Sequence, residues 1–374
     1  KARTEAHIGI YGLFGLCLSG ASITDLNVEG NIEVVNTGAA DASGATSMMS
    51  VGGIAGSGTG IALTGCSFTG SVKSRFENNP NSRVSVGGII GNLTGNLESC
   101  SATVPESSTI SAYASYPIAG ALAGYVNAGL ITMCDVNVLG DILAECPEYA
   151  ANAMSPTAIA GGIVGSSFGG SIGTCEATVA GDITALCEYA DPYDIGSALA
   201  GGISGSYAAD MLGNNTVEVS GNITAKGANS ALAGGAIGSQ NNAGYGASNL
   251  AVTLSGSIYS ETFGEGMADA AYSGGIYGKA SYQMGGLSDS YSDISGSITA
   301  KSTVFAGVGG VVGTSTEITR CWAICRESSL LDAQAVNVDA VVGGIAGIVA
   351  SGNITGSYSI LDGKLNAVTT AGNA

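Results

Sequence analysis

The sequence predicts an all-β fold, a parallel β-solenoid (β-helix) of about ten coils, on three observations. A Gly-Gly-apolar-x-Gly motif returns along the whole chain. A Gly-polar-apolar triplet follows all but two of the copies at a nearly constant distance. The composition is dominated by small and β-branched residues, with Gly at 61 of 374 positions and charged residues at only 11%.

The first landmark stands at Gly52-Gly53-Ile54-Ala55-Gly56, Gly87-Gly88-Ile89-Ile90-Gly91 and Gly161-Gly162-Ile163-Val164-Gly165, and returns at 201–205, 234–238, 274–278, 309–313 and 343–347. Looser copies are Tyr11-Gly12-Leu13-Phe14-Gly15 and Gly120-Ala121-Leu122-Ala123-Gly124. The second residues of the copies are Gly12, Gly53, Gly88, Ala121, Gly162, Gly202, Gly235, Gly275, Gly310 and Gly344, spaced almost evenly along the chain. A regular period of this size marks stacked units, each too small to bury its own apolar face.

The second landmark follows at a similar distance each time, as in Gly30-Asn31-Ile32, Gly140-Asp141-Ile142, Gly181-Asp182-Ile183 and Gly296-Ser297-Ile298. It is missing where Ser108-Thr109-Ile110 and the region of Asp332 stand in its place, and regular stacking is expected to falter there. Between landmarks the core is nearly constant. The period varies mostly behind the triplet, in segments such as 145–157 and 188–197, as expected when a coil takes insertions on one edge.

Each coil reads as three short strands: an apolar-small segment such as Ala198-Leu199-Ala200-Gly201-Gly202-Ile203, a second near the position of Cys66 or Cys175, and a third through the triplet. A glycine repeated at one place in every coil points either to a corner with φ > 0 or to a spot with no room for a side chain. Parallel strands stacked at ~4.8 Å per coil give a rod of roughly 48 Å. One solenoid domain is expected over 1–374, with repeats over 8–365.

The net charge of −18 sets the partners. A phosphate backbone or an anionic membrane surface would be repelled, which excludes nucleic acid. The longest apolar stretch, 340–350, carries Gly343, Gly344 and Gly347 and falls short of the ~20 residues of a spanning helix, so no transmembrane segment is expected. No signal sequence stands at Lys1, and the chain reads as a mature form or as a segment of a longer protein. Neither 1–6 nor 369–374 reads as a cap for the exposed strand edges.

Nine cysteines raise the question of a disulfide framework. Cys66, Cys100, Cys134, Cys175 and Cys321 follow Gly53, Gly88, Ala121, Gly162 and Gly310 at nearly one distance. They share one repeat position and read as a ladder of buried free thiols acting as small apolar residues. A metal string would need close pairs, and Cys321 with Cys325 comes nearest. Cys146 and Cys187 stand equally far behind Ala121 and Gly162, within reach of a bridge between adjacent coils.

His7 is the only histidine, which leaves a Ser-His-Asp or Cys-His arrangement without its base. Carboxylates gather in two excursions: Glu145 and Glu148 in one, Glu188, Asp191 and Asp194 in the other. The matching strings Glu148-Tyr149 and Glu188-Tyr189, with Tyr193 close by, place acids and aromatics on one edge. Such an edge suits a glycan or a weak Ca²⁺ site; no other cofactor is expected. The residues expected to bind a partner are therefore Glu148, Tyr149, Glu188, Tyr189, Asp191, Tyr193 and Asp194. Arg320, Trp322 and Arg326 form the one aromatic-basic cluster, read as a Trp filling an irregular coil. The Asn-Ile-Thr sequons at Asn222 and Asn353 are read as products of the repeated triplet.

The coil resembles the GLUG repeat, a Gly-rich motif of bacterial surface proteins. Tyr11-Gly12-Leu13-Phe14-Gly15 with Ala21-Ser22-Ile23-Thr24-Asp25-Leu26 and Gly30-Asn31-Ile32 fits its lead copy, and Gly161 to Gly165 with Ile172, Cys175 and Gly181-Asp182-Ile183 fits the body pattern. The resemblance covers residues 8 to 365, with Ala121 for Gly as a departure. It implies an extracellular, cell-surface location on a bacterium and an adhesin-like or structural role, with a host surface protein or a glycan as partner. No catalytic residues are assigned. A polysaccharide lyase or glycosidase on a β-helix is the alternative, though sparse Lys and Arg leave few groups to neutralise an acidic sugar. A spacer carrying another domain is the third reading.

Overall fold

The computed structural model describes residues 2–4, 8–38, 46–77, 79–146, 156–187, 196–208, 211–240, 246–264, 269–280, 286–315, 317–350 and 352–370. The described chain is an all-β parallel solenoid of ten coils. The fifth coil shows the plan: strands Thr157–Gly161, Val164–Ser167, Ser171–Gly173, Glu176–Val179 and Asp182–Cys187 follow one another around the axis. That is two strands more than the sequence reading gave the coil. Neighbouring strands fuse in places, second with third in Ala55–Thr64 and fourth with fifth in Asn27–Asn36. The first strands form one ten-stranded sheet from Ile8–Tyr11 to Asp339–Gly343. No helix among the described residues is long and apolar enough to cross a membrane.

Strands of consecutive coils pair in parallel and in register, which turns sequence repetition into ladders. The triplet apolar residue forms an unbroken column, Ile32–Val72–Ile110–Ile142–Ile183–Ile223–Ile258–Ile298–Leu331–Leu365, buried from Val72 to Leu331, half-buried at Ile32 and exposed at Leu365 in the last coil. Ile110 and Leu331 hold their rungs without a triplet glycine, so stacking does not falter where the landmark is missing. The buried rung, at about 1.5–3 kcal/mol per side chain, is what the stack requires.

Room, not φ > 0, explains the Gly-Gly motif, since none of its glycines has positive φ. A Cβ on Gly161 would run into the carbonyl of Val164 in its own turn and lie 2.9 Å from Cα of Ser204 in the next coil. A Cβ on Gly165 would stand 2.6 Å from Cγ2 of Ile118 and 2.7 Å from the carbonyl oxygen of Gly124. The turn itself stays hydrogen-bonded from coil to coil: Ile163 N donates to Ile203 O and Ile89 N to Leu122 O, each at 3.0 Å.

Left-handed backbone lies at another corner, between the third and fourth strands. Asp25, Gly65, Ser99, Met133, Thr174, Asn214, Asn249, Asp289, Arg320 and Gly356 all have φ between 50° and 62°. Asn, Asp and Gly suit this conformation; Met133 and Thr174 do not. Bonds from neighbouring coils hold them there, such as Ser99 N to Thr132 O at 3.1 Å and Arg320 N to Thr355 O at 2.8 Å.

The residue after each left-handed corner points inward, and this is the cysteine position. All nine cysteines are buried and free, Cys146 and Cys187 included. The corner thiols do more than fill space. Sγ of Cys66 and Cys100 donates at 3.4 Å to the carbonyls of Ile23 and Leu63 one coil back. Asn215 takes the same place in the sixth coil, donating through Nδ2 to Ile172 O at 3.1 Å and accepting from Cys175 N at 2.9 Å. Ser290 and Ser357 accept likewise, from Leu250 N and Cys321 N. The corner breaks the regular ladder, and a small polar side chain closes the gap. Burial pushes the thiols of Cys321 and Cys325 up to about 11. A thiolate-dependent reagent such as Ellman's is expected to titrate no thiol in the native protein and all nine after guanidinium unfolding; prompt native reaction would contradict this packing.

Asn222 lies on the fifth strand, as the triplet reading expects, whereas Asn353 precedes Ile354–Thr355, a third strand. Its sequon is therefore not a copy of the triplet.

Candidate functional site

Loop lengths single out an edge. Between the fifth strand of one coil and the first of the next, two residues suffice at 114–115 and at 228–229. The same junction takes eleven residues at 146–156 and nine at 188–196. The strand ends that flank these insertions lie at one place in the coil, along one edge of the stack. A second edge, between the second and third strands, was not separated in the sequence reading: six residues intervene at 241–246 and six at 281–286, whereas the chain runs straight through in Ile90–Glu98. A faint signal existed. Both coils with these loops have the widest landmark spacing, from Gly235 to Gly256 and from Gly275 to Gly296.

Glu148, Tyr149, Glu188, Tyr189, Asp191, Tyr193 and Asp194, the residues expected to bind a partner, lie outside the described residues, as does His7. The root of their edge is described. Glu145 closes the fifth strand of the fourth coil, Asp141–Glu145. On the outward face of the fifth strands, Glu33, Lys73, Ser111 and Leu143 form one column and Val35, Arg75, Tyr113 and Glu145 the next. Rungs lie about 4.8 Å apart and side chains stand out from the sheet, so short Ser111 between long neighbours leaves a depression. It forms a cavity of 360 Å³ lined by Glu33, Lys73, Arg75, Ser111, Tyr113 and Glu145. Arg75 is held by Glu77 at 2.6 Å.

Across the edge, Arg83 opens the outward side of the next coil's first strand, Ser82–Gly87. Its guanidinium stacks 4.1 Å from the ring centre of Tyr125 and 5.6 Å from that of Tyr116. Burial pushes the Tyr116 phenol above its ordinary range, against the opposing pull of Arg83. Lys73, Arg75 and Arg83, out of 11 cations in the chain, thus border one stretch of the edge. They are not evident in the sequence because Lys73 and Arg83 lie ten positions apart and Arg83 meets Tyr116 and Tyr125 only once the coils are stacked.

The aromatic-basic cluster of coil nine resolves into stitching between coils. Trp322 stacks on Tyr291 of the coil before, ring centres 5.3 Å apart and 7° from parallel, and on Tyr358 of the coil after, at 6.1 Å and 4°. Arg320 grips Asp289 through Nε and Nη2, both at 2.6 Å, and Arg326 grips Asp293. The hydrogen bond from Arg320 holds the Asp289 carboxyl below its usual range. Coil nine is not irregular: Trp322 takes a regular rung. Among the described residues no three His, Cys, Asp or Glu side chains converge as a metal group.

No family model, no curated protein and no solved structure matches the chain.

Proposed function

We propose that the protein is a non-enzymatic extracellular rod of the GLUG-repeat type, displayed on a bacterial surface, that contacts a host protein or glycan through its excursion edge. The observation that carries this reading is that the longest insertions all fall at one junction of the coil, between the fifth strand and the next first strand. Stacking needs only two residues there, as at 114–115, so the extra length serves something other than the core. By sequence, the residues expected to bind a partner belong to the two junctions 146–156 and 188–196.

The test uses the protein's own short junction. Replacing 146–156 with Ala-Ser, the sequence of 114–115, is expected to leave the circular dichroism and thermal midpoint of the chain intact. Adhesion to an array of host glycans and extracellular-matrix proteins should fall at least tenfold. Unchanged adhesion would remove the edge from the mechanism, and turnover of any glycan on the array would overturn the non-enzymatic reading.

A further inference from the structure

We propose that the protein assembles head to tail, the tenth coil of one copy stacking on the first coil of a second copy. The inference goes beyond the excursion-edge reading and does not depend on it.

Both outer coils of the described stack keep an open strand edge. Among the described residues, Ile8–Tyr11, Phe14–Cys17 and Ser22–Thr24 of the first coil pair only with the second coil. All five strands of the tenth coil, from Asp339–Gly343 to Lys364–Thr369, pair only with the ninth. An open edge is a template for a further strand. Here it comes with apolar side chains: Leu13 and Phe14 stand exposed at one end, Ile354, Leu361 and Leu365 at the other.

Three observations select a second copy as the occupant. The first is shape. At the first coil a hollow of 520 Å³ opens beside Tyr11, Val28, Gly30, Ile32 and Phe68. A Cβ on Gly30 would meet no atom within 4 Å. One further step of the ladder sets Leu361 over Gly30 and Leu365 over Ile32, so the large side chains of the tenth coil face the hollow.

The second observation is an outward column through the second strands, Leu16–Ser57–Asn92–Tyr125–Ser166–Ser206–Ser239–Lys279–Thr314–Ile348. Every inner rung bears a polar group, and only the two outermost are aliphatic. Head-to-tail stacking brings those two together and removes them from water. The third is charge. The same step sets exposed Lys364 over Asn31, two residues from the exposed Glu29 on one outward face. Opposite charges on adjacent rungs fix the register of the approach.

Ala2–Thr4 already pairs with Val34–Asn36, so on the fifth strand the partner's ladder covers Asn31 to Glu33 and stops there. The interface joins two unlike surfaces by a step along the axis. Such contacts do not close on themselves, and copies add into a linear rod.

The measurement is sedimentation velocity of the full chain over a range of concentrations, with electron microscopy of the same samples. Linear rods that lengthen with concentration are expected. Lys364→Glu sets like charges together and should weaken association at least tenfold, and Glu29→Lys added to the same chain should restore it. Leu16→Asp should weaken association to a similar degree. Both changes fall on exposed side chains, so circular dichroism is expected to stay that of the parent. Mixing the Lys364→Glu copy with the Leu16→Asp copy leaves one intact pair of faces, and should give dimers that grow no further. A monomer at every concentration, a closed dimer of the parent, or failure of the charge swap to restore assembly overturns the proposal. The Ala-Ser junction variant should assemble as the parent does, so loss of adhesion and loss of assembly are read separately.

Discussion

Gly161→Ala is expected to cost about 3 kcal/mol or more of folding free energy, while Gly162→Ala, one residue on, costs about 1 kcal/mol. At Gly161 the new methyl meets backbone: the Val164 carbonyl of the same turn and Cα of Ser204. Neither atom can retreat without opening the turn that stacks on the next coil. At Gly162 the obstacle is the carbonyl of Gly202 in the neighbouring coil. There the protein supplies its own precedent, because Ala121 occupies the equivalent place fully buried and still donates to Gly162 O at 3.2 Å. The check is denaturant unfolding of both variants beside the parent. Equal losses would show that the first and second glycines share one steric role. A solenoid transmits a local defect through nearest-neighbour interfaces, so Gly161→Ala should also broaden the transition.

Asn215→Ala is expected to cost about 3 kcal/mol, and Asn215→Ser about half of that. The asparagine is buried, and removing its amide strands two backbone groups, the N–H of Cys175 and the carbonyl of Ile172. Each stranded group costs on the order of 1–3 kcal/mol, since water cannot reach it. Serine keeps a short acceptor, as Ser290 and Ser357 do for Leu250 and Cys321. Amide hydrogen exchange at Cys175 reports directly on the lost bond. Protection there that is unchanged in the alanine variant would refute the role assigned to Asn215.

Much of this was legible in the residues, and particular cases show why the rest was not. The inward column through Ile142, Ile183 and Ile223 could be read off because a stack places equal sequence offsets on one rung. The excursion edge was legible for the same reason, since 145–157 lengthens the period while leaving both landmarks in place. The left-handed corner was not. Its occupants run from Asp25 through Met133 and Thr174 to Arg320, with no shared chemistry, because hydrogen bonds from adjacent coils rather than the side chain hold φ there. The thiol ladder was recognised as buried and free, but its donation to carbonyls was invisible from spacing.

The sequence by itself determined the period, the all-β parallel stack and the identity of the inward residues, because repetition and hydrophobic burial are properties of the chain as written. Only the tertiary structure decided which side chains meet across coils. Arg320 finds Asp289 and Arg326 finds Asp293, each one coil back, and Lys73 lines a hollow set by the short side chain of Ser111 one coil later. Partners on adjacent rungs are fixed by register to within a single residue, and a one-residue slip turns a side chain to the opposite face. Loops of widely differing length lie between those rungs, so the pairing emerges only when the coils are stacked.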